Sequence, residues 1–143
     1  MSAGNDSLIA SARACCRQSY APYSGICVGA AIRATSGTRY VGANVENAAY
    51  PLGNCAETSA IAAGVQSEGS GFRIAEIAVW ATDRDGRTIA CSPCGACRQR
   101  IREFAAGGAV AIHFPWHEGE IRTVKLDELL PFAFFLPTGP SAR

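Results

Sequence analysis

In the first segment of the chain apolar residues return every three or four positions, at Leu8, Ile9, Ala12, Cys15 and Cys16, and that period predicts an amphipathic helix. Asp6 is a residue type that caps such a helix, and Tyr20 and Pro22 mark where the pattern runs out. The period then shortens. Ile26 to Ala34 and Arg39 to Ala43 are apolar-rich and separated by Ser36-Gly37, which predicts a β-hairpin. A loop from Asn44 to Asn54 follows, carrying Pro51 and Gly53. Cys55 to Val65 is alanine-rich with Ile61 and Val65 four apart, a helix that Gly69-Ser70-Gly71 ends. Ile74 to Thr82 is a strongly apolar strand closed by the turn Asp83-Arg84-Asp85-Gly86, with Thr88 to Cys91 as a short continuation. Pro93 precedes a second long helix, Cys94 to Ala106, with Ile101, Phe104 and Ala105 inward and Gly107-Gly108 as its stop. Ala109 to Phe114 is a buried strand, Ile121 to Val124 another, and Leu126 to Leu130 a short helix before the aromatic tail of Phe132, Phe134 and Phe135.

Strands that alternate with helices, over connections too long for hairpins, predict an α/β fold in three α-β-α layers, with a mixed sheet of about five strands. Both Cys55 and Cys94 then fall where a helix begins. A chain of 143 residues matches one domain, 1–143, since a single core serves about 100 to 200 residues. At 48% hydrophobic and 17% charged it lies far from the composition of disordered chains.

Charge and cysteine usage narrow the classes further. The formal net charge is +1 without a run of Lys or Arg, which argues against a nucleic-acid polymer as partner. The opening residues lack a basic and then apolar leader, and no apolar segment approaches the roughly 20 residues that span a bilayer. The expectation is a cytoplasmic protein with no membrane partner. Seven cysteines, an odd number in a chain long enough to build its own core, favour metal binding over a disulfide scaffold.

The chemistry concentrates in Cys55-Ala56-Glu57 and, well downstream, Pro93-Cys94-Gly95-Ala96-Cys97. Two cysteines at C-x-x-C spacing on one helix turn grip a tetrahedral zinc, and a third from another helix start leaves one position open, as a catalytic zinc requires. Glu57 follows its cysteine by two residues, close enough to take a proton from water at that position and pass it to a leaving nitrogen. A first ligand, a Glu two residues on, and then Pro-Cys-x-x-Cys is the known signature of zinc nucleobase deaminases. Two positive charges against three thiolates leave the site net negative, which opposes water ionisation. The helix N-termini at Cys55 and Cys94 and Arg98, beside Cys97, are the candidates to offset it.

At these residues the sequence resembles the cytidine deaminase family, in its small homotetrameric, three-cysteine branch. The likeness extends through Tyr20-Ala21-Pro22-Tyr23-Ser24, Val28-Gly29-Ala30-Ala31 and Asn44-Val45-Glu46-Asn47-Ala48-Ala49-Tyr50-Pro51-Leu52-Gly53. It implies zinc-dependent deamination of cytidine and deoxycytidine, with one zinc per subunit. It also implies that Asn44 and Glu46 bind the ribose hydroxyls and that Ala56 and Glu57 read the pyrimidine edge. Residues matching Ala48, Tyr50 and Phe134 close a neighbouring subunit's pocket in similar proteins, so a homotetramer with active sites at its subunit interfaces is implied as well. Two positions depart from the pattern. Ile26, followed by Cys27, stands where an aromatic residue usually packs on the base, and Thr58 stands where many relatives carry an arginine that shields the thiolates.

Other readings of the same residues remain. Blasticidin-type aminonucleoside deaminases resemble this pattern and lack that arginine, so a bulkier or modified cytosine nucleoside is an alternative substrate. A polynucleotide-editing deaminase is a further alternative, opposed by the absent basic surface. A non-catalytic zinc-stabilised assembly module would need a fourth ligand, with His113 and His117 the candidates, and would leave Glu57 without a role. Cys91 reads as a buried strand residue, and Cys15, Cys16 and Cys27 as small apolar core residues.

Overall fold

The computed structural model describes residues 3–140. Five strands, β1 (Cys27–Ala34), β2 (Arg39–Ala43), β3 (Ile74–Thr82), β4 (Ala111–Pro115) and β5 (Ile121–Lys125), form one sheet in the order β2-β1-β3-β4-β5. Neighbours are antiparallel except β3 and β4, which run parallel. A parallel pair needs a crossover, and α3 (Gly95–Phe104) lies within it. α1 (Ala3–Cys16) covers one face, where Leu8, Ala12 and Cys16 pack on Ala31, Ala78 and Trp80. α2 (Ala56–Glu68), α3 and the short α4 (Leu126–Leu129) enclose the larger core on the other, around Ile32, Phe72, Ile77, Ile101 and Ile112. Central β3 is buried along nearly its whole length, which is why its sequence, Glu76 apart, runs apolar without alternating. The expected three-layer mixed sheet is the fold observed.

Two strand glycines let the helices come close. A Cβ on Gly29 would collide with the Ala12 carbonyl of α1, and one on Gly42 with the backbone of Ser59 and Ala60 on α2. Both approaches exclude any larger side chain. The second sets the first turns of α2 directly onto the hairpin, and with them the residues beside Cys55.

The sheet also buries polar groups. Glu76 on β3 takes Arg33 of β1 at 3.2 Å and His113 of β4 at 2.5 Å, and His113 in turn meets Thr123 of β5 at 2.8 Å. Four strands thus satisfy one another's polar side chains across the α1 face, as burial requires.

Three expectations change. α1 starts at Ala3, so Asp6 lies inside it and not at its cap; its side chain falls outside the described residues. Thr88 to Cys91 forms no strand. It is tied down singly, by a bridge from Thr88 to Thr82 and by the Cys91 N–H donating to the Pro115 carbonyl. The third helix ends at Phe104, and Ala105 instead bridges to Ile74 in extended conformation.

Candidate active site and metal centre

Cys55 and Cys94 are the residues immediately before α2 and α3, both extended (φ −69°, ψ 156° and φ −66°, ψ 168°) with no side-chain cap bond. Their sulfurs are therefore not taken up by the helix ends. The two helix starts face each other, and Cys97, one turn into α3, completes a cluster whose three sulfurs lie within 4.8 Å of one another. Thiolates about 2.3 Å from a tetrahedral zinc are about 3.8 Å apart, so this donor set fits zinc. Among the described residues the cluster has three members and no fourth ligand. Both ring nitrogens of His113 are engaged by Glu76 and Thr123, and His117 sits in a turn against Trp116. The arrangement is an open metal site, and a closed structural clip is not what these residues build.

Protons and sulfurs are interdependent here. Hydrogen bonding from Cys97 holds the Cys55 thiol down, to about 6, against the opposing effects of burial and Glu57. The same contact, with burial, pushes the Cys97 thiol up. A divalent cation takes the place of such a shared proton when it binds thiolates. Glu57, in the first turn of α2, is only 4% exposed. Burial raises its carboxyl above the ordinary carboxylate range, while contact with the Cys97 thiol and the positive charge of Arg100 pull the other way. A carboxyl poised in this way holds and releases protons nearer neutrality than a solvated one.

The cluster opens into a cavity of about 340 Å³ whose walls include Val28, Asn44, Glu46, Tyr50, Ala56, Glu57 and Cys91. It adjoins a second hollow of about 360 Å³ between Tyr23 and Tyr50, with Glu46, Tyr50 and Gly53 common to both. The rings of Tyr23 and Tyr50 meet edge to face at 5.9 Å. A small, mainly apolar cleft with a few aimed polar groups is the form of a small-molecule site.

The residues expected around the substrate divide. Asn44, Glu46, Ala56 and Tyr50 line the cleft. Asn44 and Glu46 also work on their own loops: the Asn44 Oδ1 accepts from the Val28 N–H at 2.8 Å and its Nδ2 donates to the Ile26 carbonyl at 2.9 Å. One Glu46 oxygen accepts the backbone N–H groups of Tyr23 and Ser24, and the other accepts the Ser24 hydroxyl. These bonds, the hydroxyl first, hold the Glu46 carboxyl below its ordinary range.

Ile26, Ala48 and Phe134 are absent from both cavity walls of this chain. Ile26 precedes β1, its N–H and carbonyl bound to Ser24 and Asn44, and Val28 is the apolar wall in its stead. Phe134 exchanges backbone hydrogen bonds with the Gln99 side chain at 3.0 and 3.1 Å while its ring stays largely exposed. The hydrogen bonds described for Arg98 go to oxygens and not to the sulfurs. Its guanidinium donates to the carbonyls of Pro93 and Leu129 and to the Ser92 hydroxyl, bracing the loop that delivers Cys94. Sequence reasoning did not single out Arg100, one turn beyond Cys97, whose positive charge is a minor cause lowering the pKa of Cys55 and of Glu57.

Three helix-borne thiols and a buried carboxyl at the floor of a cleft define a zinc-dependent hydrolytic centre. Comparison with known proteins makes the class specific. Residues 4–113 match the family model of the cytidine and deoxycytidylate deaminase zinc-binding region. The chain is 39% identical over 129 residues to the cytidine deaminase of Sporosarcina psychrophila, covering 90% of each. It is 38% identical over 124 residues to that of Mycobacterium tuberculosis, covering 87% of this chain and 84% of the other. The crystal structure of cytidine deaminase from Burkholderia pseudomallei superposes with a TM-score of 0.78 at 35% identity, over 94% of this chain and all of that one. The chain belongs to the cytidine deaminase family.

Proposed function

We propose that the protein, one zinc domain spanning the chain, hydrolytically deaminates cytidine and deoxycytidine to uridine and deoxyuridine, releasing ammonia. The observation that carries the reading is the buried Glu57 carboxyl beside an open three-thiolate cluster, at the floor of a cleft sized for a nucleoside. Cys55, Cys94 and Cys97 would hold the zinc. Bound there, zinc acts as a Lewis acid that lowers the pKa of water from about 15.7 toward about 7. Glu57, protonated, donates a hydrogen bond to N3 of the pyrimidine, then carries a proton to the amino group, which leaves as ammonia. The Ala56 backbone sits beside it to read the base edge. Asn44 and Glu46 meet the ribose, with Glu46 kept anionic by Ser24 and thus a ready acceptor for a hydroxyl.

We read the assembly as a homotetramer. Tyr50, Leu52, Phe132, Phe134 and Leu136 are all more than 60% exposed, and a subunit interface covers such a surface. Ala48, Tyr50 and Phe134 would then close a neighbour's pocket, and Ile26 would border the base. We place the protein in the cytoplasm, with no nucleic-acid polymer or membrane as partner; no helix of the described residues is long and apolar enough to cross a membrane.

The test offers zinc-loaded protein cytidine, deoxycytidine, cytosine, CMP and blasticidin S in parallel, following ultraviolet absorbance and ammonia. Conversion of the first two alone is the expected result. Conversion of blasticidin S in their place would transfer the assignment to a modified-nucleoside deaminase, and silence on all five would overturn it.

A further inference from the structure

We propose that the hollow between the end of α1 and the turn after β3 binds a phosphate group, free or carried on a small sugar, and that its occupancy tightens the nucleoside cleft through Arg84. The binding site is independent of the deaminase reading, and the coupling rests on it.

The hollow measures about 420 Å³, within the range of small-ligand pockets, and its walls include Arg13, Arg17, Arg84, Trp80, Thr82 and Thr88. Three guanidinium groups thus gather in a chain whose formal net charge is only +1. Arg13 and Arg17 stand four residues apart at the end of α1, a spacing at which like charges repel, and neither has an ion-pair partner among the described residues. Arg13 lies over the Trp80 ring at 5.3 Å, which orients it. The acid on the wall, Asp83, is turned to its own backbone, where one oxygen accepts the N–H groups of Asp85 and Arg87, each at 2.9 Å. Even with that charge and the partial negative charge of the α1 C-terminus, the hollow stays net positive. Arginine forks match the oxygens of a phosphate, and the two threonines add hydroxyl donors.

Arg84 ties this hollow to the cleft. Its Nη2 donates to the Tyr23 carbonyl at 2.9 Å, and its stem lies so close to Gly25 that a Cβ there would collide with it. The N–H groups of Tyr23 and Ser24 in turn hold Glu46, which lines the cleft. Among the described residues only Nη2 of the Arg84 guanidinium is engaged. An anion therefore takes its other nitrogens without displacing Tyr23, and fixes the 21–26 loop in the form that orients Glu46.

Calorimetry on zinc-loaded protein at low salt tests the site with inorganic phosphate, ribose 5-phosphate and ribose, in wild type, R17Q, R17K and R84Q. Arg17 is exposed and follows α1, so its replacement spares the core, which circular dichroism checks. Both phosphates are expected to bind at the hollow and ribose is not. Tighter binding of ribose 5-phosphate assigns the hollow to a sugar phosphate, and equal binding to free phosphate. R17Q binds either about tenfold more weakly, a difference that shrinks as salt screens it, and R17K keeps most of the affinity. Phosphate at a concentration that fills the wild-type site and not that of R17Q lowers the wild-type KM for cytidine about two- to fivefold and leaves R17Q unchanged; by reciprocity, uridine tightens phosphate binding in wild type by a similar factor. Without phosphate, R17Q has the wild-type KM, whereas R84Q, lacking the donor to Tyr23, has a raised one. Equal phosphate binding in R17Q and wild type, or none in either, overturns the site, and an unchanged or raised KM overturns the coupling. Phosphate binding that depends on Arg17 in a protein that deaminates nothing would overturn the reading of the cleft and leave the site standing.

Discussion

At one end of the cleft, Cys55, Glu57 and Cys97 are held in or beside the first turns of two helices packed on the sheet, and Glu57 and Cys97 are buried. At the other end Tyr23 and Glu46 stand on loops and Tyr50 on a single 3-10 turn, shaped by bonds such as those from Ser24 to Glu46, and Tyr50 is 74% exposed. The first region inherits its geometry from the core: Gly42 fixes α2 against the hairpin, and Ile101 anchors α3. The second has only local hydrogen bonds and an aromatic pair. The acid and the three sulfurs therefore come together within one chain, whereas the loop end leaves Tyr50 open, which fits the proposed closure of that wall by a neighbouring subunit. Damage to the first end abolishes activity; damage to the second tunes affinity.

The sharpest way to break that contrast is at a sulfur. Cys97→Ala removes a buried ligand, and metal analysis should find zinc lost and turnover reduced to background, with the α/β fold retained by circular dichroism. Retained zinc would mean that the cluster is not the metal site. A smaller effect is expected across the cleft, where Tyr50→Ala removes one wall of both hollows. KM should rise roughly tenfold, equivalent to about 1.4 kcal/mol, with kcat changed less and the assembly loosened in light scattering.

Ser24→Ala probes the loop bonds more gently. The folded Glu46 pKa is depressed, so the stability it lends to the 21–26 loop is present above its unfolded pKa and is lost as pH falls through the folded one. Removing the hydroxyl, the largest cause, moves that loss to higher pH. NMR titration of Glu46 should follow the shift, and KM should rise about two- to fivefold at neutral pH. The smallest effect is at Cys91, whose thiol burial pushes up to about 11. At pH 8 it should alkylate more slowly in the metal-free protein than Cys55, held at about 6. Mass spectrometry reads the order, and a faster Cys91 would contradict it.

The sequence carried the chemical end of the cleft well, because helix starts, C-x-x-C spacing and a glutamate two residues from a cysteine are local patterns. β2 and β3 were legible to the residue, since the turn at Ser36-Gly37 bounds the first and an apolar run interrupted only by Glu76 makes up the second. The loop end was less legible. Whether Asn44 and Glu46 face a ligand or their own backbone depends on Val28 and Ser24, which are remote in sequence, and the structure has them bonded to that backbone while lining the cleft. Arg98 makes the same point. Adjacency to Cys97 singles out Arg98, but its hydrogen bond to the Leu129 carbonyl, remote in sequence, is one that no local pattern announces. Thr88 to Cys91 has strand-like composition, yet it pairs only at isolated points and stays outside the sheet.

The most direct test of the account compares zinc-loaded wild type and Glu57→Gln for ammonia release from cytidine, at matched zinc content. The account predicts one zinc per chain in both, the same fold, and a kcat about a hundred- to ten-thousandfold lower in the variant, the usual contribution of a positioned proton-transfer group. A Glu57→Gln variant that binds zinc and turns over cytidine at close to the wild-type kcat would contradict it.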